Sequence, residues 1–119
     1  MNRILIADDA SFMRLMICQI LARKGLKDIV EAENGRQAVE LYKSYRPILT
    51  FMDITMPELD GLAALDEILG FDPSAKVIIC SAVAHETMVL EALQRGAVDF
   101  VSKPFRPDEL LRIVNKHLN

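Results

Sequence analysis

Asp53-Ile54-Thr55-Met56-Pro57-Glu58-Leu59-Asp60-Gly61 follows directly on the apolar run Ile48-Leu49-Thr50-Phe51-Met52. Five strand-like residues carry an acid to the end of a strand, and the Pro and Gly behind it force the chain to turn. The Asp53 carboxylate is thereby held at a strand terminus and not in mid-core. In an open parallel sheet the carboxyl ends of strands are where ligands bind, because loops and helix N-termini meet there around a crevice.

Three further stretches end in the same way. Ile4-Leu5-Ile6-Ala7 runs into Asp8-Asp9, Val77-Ile78-Ile79-Cys80 into Ser81-Ala82, and Val98-Asp99-Phe100-Val101-Ser102 into Lys103-Pro104. Four apolar runs thus terminate in acid, acid, hydroxyl and amine. Neighbouring strands lie only about 4.8 Å apart, so adjacent strand ends can bring such groups together.

Read in order, Arg3 to Ala7 is continuous rather than alternating in hydrophobicity, the mark of a strand buried on both faces. A helix is predicted from Ser11 to Lys24, with Met13, Ile17, Ile20 and Leu21 on one face and Gly25 as a left-handed stop backed by Leu26. Asp28 to Glu31 fits an edge strand. Asn34 with Gln37 reads as a helix cap, and Ala38, Leu41 and Tyr42 as the buried face that follows, ended by Pro47. Asp60 caps a third helix with Leu62, Leu65 and Leu69 inward, broken by Asp72-Pro73. Strand Lys76 to Cys80 leads to a helix from Ala84 to Arg95, with Met88, Val89, Ala92 and Leu93 inward, stopped by Gly96. After strand Val98 to Ser102, a last helix opens on Pro107, Asp108 and Glu109 and closes on Lys116 and His117, charges that suit the helix dipole.

Five strands alternating with five helices imply an α/β, doubly wound parallel sheet with helices on both faces. Order 2-1-3-4-5 is one of the two common arrangements of this kind, and it sets strands one and three side by side. Asp8, Asp9 and Asp53 then converge, with Ser81 and Lys103 on the far side. Two carboxylates at about 5 Å and an effective dielectric of about 20 repel by roughly 3 kcal/mol. Such a group of acids implies a cation or a shared proton. Oxygen donors without His or Cys favour a hard divalent ion such as Mg2+.

With 119 residues the chain is long enough for one domain with a real core, and 51% hydrophobic residues exclude disorder. A net charge of -3 and no basic run argue against nucleic acid and for a protein partner. No apolar stretch is long enough for a signal peptide or a membrane span, so a cytoplasmic location is expected. Cys18 and Cys80 lack metal-ligand spacing and are expected to be buried, reduced thiols.

Asp8-Asp9, the Asp53 to Pro57 turn with Asp60-Gly61, Ser81-Ala82, Gly96-Ala97, Phe100 and Lys103-Pro104-Phe105 together resemble the receiver domain of two-component response regulators, the CheY-like family. The likeness spans essentially the whole chain, residues 1–119, as one receiver domain. It implies phosphorylation of Asp53 by a phosphohistidine of a sensor histidine kinase. Asp9, Asp53 and the Thr55 carbonyl would bind Mg2+ directly and Asp8 through water. Lys103 and Ser81 would bind phosphoryl oxygens, and a cis bond before Pro104 would aim Lys103 inward. The chain would catalyse its own phosphorylation and dephosphorylation without being a metabolic enzyme.

Ser81 and Phe100 would form the switch, with Phe where chemotaxis members often carry Tyr. Phe100 as plain core is the competing reading. Thr55 and Val83 are expected to flank the path of the hydrolytic water. With no residues after Asn119 for an output domain, a stand-alone monomeric switch is expected, read through the fourth helix, fifth strand and fifth helix by a protein such as a flagellar motor switch component. The alternative is a phosphorelay intermediate serving a histidine phosphotransferase. A haloacid dehalogenase-type phosphohydrolase would require a second Asp where Thr55 stands, and a flavin module would require a phosphate loop where Asp8-Asp9 stand.

Overall fold

The computed structural model describes residues 3–82 and 85–118. Its elements alternate: β1 (Ile4–Ala7), α1 (Ser11–Ala22), β2 (Ile29–Ala32), α2 (Gly35–Tyr45), β3 (Leu49–Asp53), α3 (Gly61–Phe71), β4 (Val77–Ala82), α4 (Glu86–Arg95), β5 (Asp99–Lys103) and α5 (Pro107–Leu118). All pairings are parallel, in the order β2-β1-β3-β4-β5. The expected doubly wound fold is therefore the one adopted.

Side chains of a strand point alternately to opposite faces, which divides each apolar run between two cores. Leu5, Ala7, Met52, Val77 and Ile79 pack with α2, α3 and α4 on one face. Ile4, Ile6, Leu49, Phe51, Ile78, Cys80 and Val101 pack with α1 and α5 on the other. This is why the central runs carry no polar alternation.

Helix ends follow the sequence signals closely. Asn34 Oδ1 accepts the Gln37 N–H at 2.7 Å, and Asp60 Oδ1 accepts the Ala63 N–H at 2.9 Å. Gly25, with φ of 78°, lets the Leu26 N–H reach the Leu21 carbonyl at 3.1 Å, the paired-bond termination expected there.

Three expectations need correction. Strands β3, β4 and β5 run one or two residues further toward their C-terminal ends than the apolar runs suggest, because pairing continues through Asp53↔Cys80, Ser81↔Ser102 and Ala82↔Lys103. Asp53, Ser81 and Lys103 are thus part of the sheet. On α3 the buried positions are Gly61, Ala64, Leu65 and Ile68, while Leu62 and Leu69 are half-buried at its margin. The cause is Gly61, pressed so closely on β3 that a Cβ would lie 2.3 Å from the Asp53 carbonyl oxygen, which sets the rotation of the helix. Cys18 is half-exposed, while Cys80 is buried as expected.

Candidate functional site

The C-terminal ends of β1, β3 and β5 meet in one acidic crevice. Asp8 and Asp53 are 1% and 5% exposed, whereas Asp9 reaches solvent. Each of the three offers a carboxylate oxygen, and these atoms lie within 4.8 Å of one another. Lys103 enters from β5, with a cis bond to Pro104. Its Nζ donates to Asp8 Oδ2 at 2.9 Å and stands 3.3 Å from Asp53 Oδ2. Parallel pairing explains the meeting, since aligned strands end on the same side.

The electrostatics are those of crowded, half-dehydrated acids. Burial and then the Asp8 charge push the Asp53 carboxyl above its usual range, against the pull of Lys103. For Lys103, burial disfavours the ammonium, but the Asp8 and Asp53 carboxylates outweigh it and hold its pKa above the usual value. The ammonium is thus an internal counter-ion for a site with more negative charge than it can neutralise.

An oxygen-only donor set of this geometry, with Lys103 offsetting part of the charge, fits a hard divalent cation and does not fit a thiolate- or imidazole-seeking metal. The cluster Asp8, Asp9 and Asp53 is the part of the site that could hold one.

The other expected residues divide. Thr55 is exposed beside the crevice, and its N–H points to Asp53 Oδ1 at 3.5 Å. Ser81 is buried, and its hydroxyl donates to the Ala82 carbonyl at 3.1 Å rather than to Asp53. Val83 lies outside the described residues. Phe100 is 42% exposed, which removes the reading of it as core. The inward position on β5 belongs to Val101, so alternation turns Phe100 outward. There it lines a groove of about 370 Å³ with Ser81, Ala82, Val89, Leu90 and Leu93.

Sequence reasoning passed over two contributors. Gly35 starts α2 where a Cβ would lie 1.8 Å from the Leu59 carbonyl oxygen, so the loop after Asp53 rests directly on that helix. Arg14 lies on the buried face of α1, and its Nη1 donates to the Asp8 carbonyl at 2.6 Å. A charge within the Met13, Ile17 and Leu21 stripe was the available signal.

Comparison with known proteins agrees with this arrangement. The family model described as the response regulator receiver domain matches residues 4–115. The chain is 54% identical over 118 residues to the chemotaxis protein CheY of Bacillus subtilis, covering 99% of this chain and 98% of that protein. It is 49% identical to the chemotaxis protein CheY of Thermotoga maritima, covering 97% and 96% of the two. Among solved structures it matches a chain in the CheX-CheY-BeF3-Mg complex from Borrelia burgdorferi with a TM-score of 0.92 at 34% identity, covering 99% of this chain and 90% of that one. Family model, full-length relatives, sheet order and the acid and lysine crevice all agree, and the chain belongs to the response regulator receiver domain family.

Proposed function

We propose that this chain is a phospho-acceptor switch of the chemotaxis type, with a receiver domain over residues 1–119 that acts in the cytoplasm. A sensor histidine kinase supplies the phosphoryl group, and Asp53 takes it. The observation that carries this reading is the meeting of Asp8, Asp9, Asp53 and Lys103 at one sheet edge. A carboxylate there is held close to both a cation-binding group and a fixed ammonium, the arrangement phosphoryl transfer requires.

In the proposed reaction an Asp53 Oδ attacks phosphorus in line. The P–N bond of the donor phosphohistidine breaks, and its electron pair stays on the imidazole nitrogen. Asp8, Asp9, Asp53 and the Thr55 carbonyl would hold Mg2+, which would supply positive charge to the phosphoryl group. Lys103 shifts from the carboxylates to one phosphoryl oxygen, and Ser81 turns from the Ala82 carbonyl to another. That turn frees space beside Phe100 and couples the chemistry to the groove against α4. Thr55, exposed beside the crevice, flanks the approach of the water that later cleaves the acyl phosphate. The output partner is a separate protein, and the naming of the relatives as chemotaxis proteins favours a flagellar motor component over a histidine phosphotransferase.

The test is incubation with Mg2+ and a small acyl phosphate, read by intact mass. Wild type should gain one phosphoryl group and Asp53→Asn none. Labelling of both, or of neither, would overturn the assignment.

A further inference from the structure

Arg14 is only 8% exposed, on the face of α1 that also carries Met13 and Ile17. A guanidinium brought into such surroundings is costly unless its donors are engaged. They are engaged on both sides. Nη1 donates to the Asp8 carbonyl at 2.6 Å, Nε donates to Glu31 Oε1 at 2.8 Å, and Nη2 lies 3.8 Å from Glu33 Oε1. The side chain therefore ties the acidic crevice to the edge strand β2.

What it holds is the peptide group between the two consecutive acids. The other polar atoms of Asp8 are also engaged. Its N–H donates to the Ala32 carbonyl at 3.0 Å, Oδ1 accepts the Ala10 N–H at 2.9 Å, and Oδ2 accepts from Lys103. Asp9 is the opposite case: it is exposed, and none of the hydrogen bonds among the described residues involves its carboxylate. The direction of the Asp9 side chain is therefore set by its backbone, and that backbone is set by the plane of the Asp8–Asp9 peptide.

We propose that Arg14 is a positioning residue for cation binding: by gripping the Asp8 carbonyl it fixes the Asp8–Asp9 peptide plane and aims the Asp9 carboxylate at the cluster it forms with Asp8 and Asp53. The inference rests on the cation-site reading given above. It also has a sign that electrostatics alone would reverse. A positive charge near a divalent ion repels it, so a merely electrostatic Arg14 would weaken binding and its removal would tighten it. Glu31 and Glu33 offset most of that charge, and the lost alignment dominates. Partners that orient metal ligands are typically worth 10- to 100-fold in affinity. Arg14 acts on one carboxylate through a peptide group, which places its effect near the lower end, about tenfold.

The experiment titrates Mg2+ alone into wild type, Arg14→Ala and Arg14→Lys by calorimetry at fixed pH and ionic strength, and follows the unfolding of each in EDTA. Arg14→Ala should unfold cooperatively and bind Mg2+ about tenfold more weakly. Arg14→Lys, whose single ammonium can still reach the carbonyl, should fall between the two. A merely structural role would lower the unfolding midpoint and leave the affinity of the folded protein unchanged. Affinity equal to or tighter than wild type in Arg14→Ala overturns the inference, as does unchanged affinity in Arg14→Lys where the alanine variant does not fold. A wild type that fails to bind Mg2+ removes the cation site itself, and this inference with it.

Discussion

The Lys103 ammonium donates to Asp8 Oδ2 at 2.9 Å, although 95 positions separate the two residues in the chain. This contact neutralises part of an acid cluster whose Asp8 and Asp53 members are sheltered from water, and it spans the ends of the strands between β1 and β5. In this arrangement the lysine is a counter-ion for both carboxylates.

Lys103→Met leaves the Asp8 and Asp53 carboxylates without that counter-charge. Breaking a buried ion pair on one side costs about 3 kcal/mol, and unfolding in EDTA should be easier by roughly that amount. Saturating Mg2+ should restore much of the loss, since an ion that binds only the folded state stabilises it. Denaturant unfolding with and without Mg2+ measures both; an equal deficit under the two conditions would show that the lysine is not standing in for a cation.

The glycines give a prediction with an internal control. A Cβ at Gly61 would lie 2.3 Å from the Asp53 carbonyl oxygen and one at Gly35 1.8 Å from that of Leu59, backbone atoms that cannot step aside cheaply. At Gly70, inside α3, a Cβ would meet nothing within 4 Å. Gly61→Ala and Gly35→Ala should each destabilise by about 2 kcal/mol or more, in the range of core overpacking. Gly70→Ala should stabilise by about 0.5 kcal/mol, through the more restricted unfolded chain. Thermal melts of the three variants should separate in sign.

Two acids should titrate in opposite directions. Asp53 is raised by burial and by Asp8, so the folded state binds its proton more tightly than the unfolded one. Without metal, this group lowers stability as pH climbs from the usual 3.8 through its raised value. Asp99 resists burial by accepting from His117 and from the Phe100 N–H, and with the charges of His117 and Lys116 its carboxyl is held below 3.8. Its contribution is present above that value and is lost as pH falls through the depressed one. In EDTA at neutral pH, Asp53→Asn should therefore be more stable than wild type and Asp99→Asn less stable. The Asp99→Asn difference should vanish in acid, as read from denaturation midpoints against pH.

Ser81→Ala removes only a hydroxyl bonded to the neighbouring Ala82 carbonyl, and stability should change by less than about 1 kcal/mol. Phosphoryl uptake should slow modestly, while binding of the phosphorylated form to its output protein should fall further. Moving a two-state balance from 1:99 to 99:1 needs about 5.5 kcal/mol, which leaves little to spare once the Ser81 bond is gone. Equal losses in uptake and binding would argue that Ser81 serves the chemistry alone.

Much of the site was legible because its residues sit where apolar runs stop. Asp8, Asp53, Ser81 and Lys103 each follow a run whose length and turn residues announce a strand end, and parallel pairing gathers such ends on one side. Arg14 was missed because an arginine at a helical position reads as a solvated charge unless its neighbours are known. Gly35 and Gly61 read as turn and cap residues, and their real constraint is the approach of another backbone. Phe100 could not be assigned to core or surface because its strand is covered on one face more fully than the other.

The sequence by itself determined the alternation of strands and helices, their ends to within a residue or two, and which chemical groups stand at the strand ends. These follow from periodicity and from Gly, Pro and capping residues, whose effects act over a few neighbouring positions. Only the tertiary structure decided that Lys103 reaches Asp8, that Arg14 grips the peptide between the two acids, and that Phe100 faces outward. Those outcomes depend on which strand lies beside which and how closely two backbones pack, and such energies exist only between segments far apart in the chain.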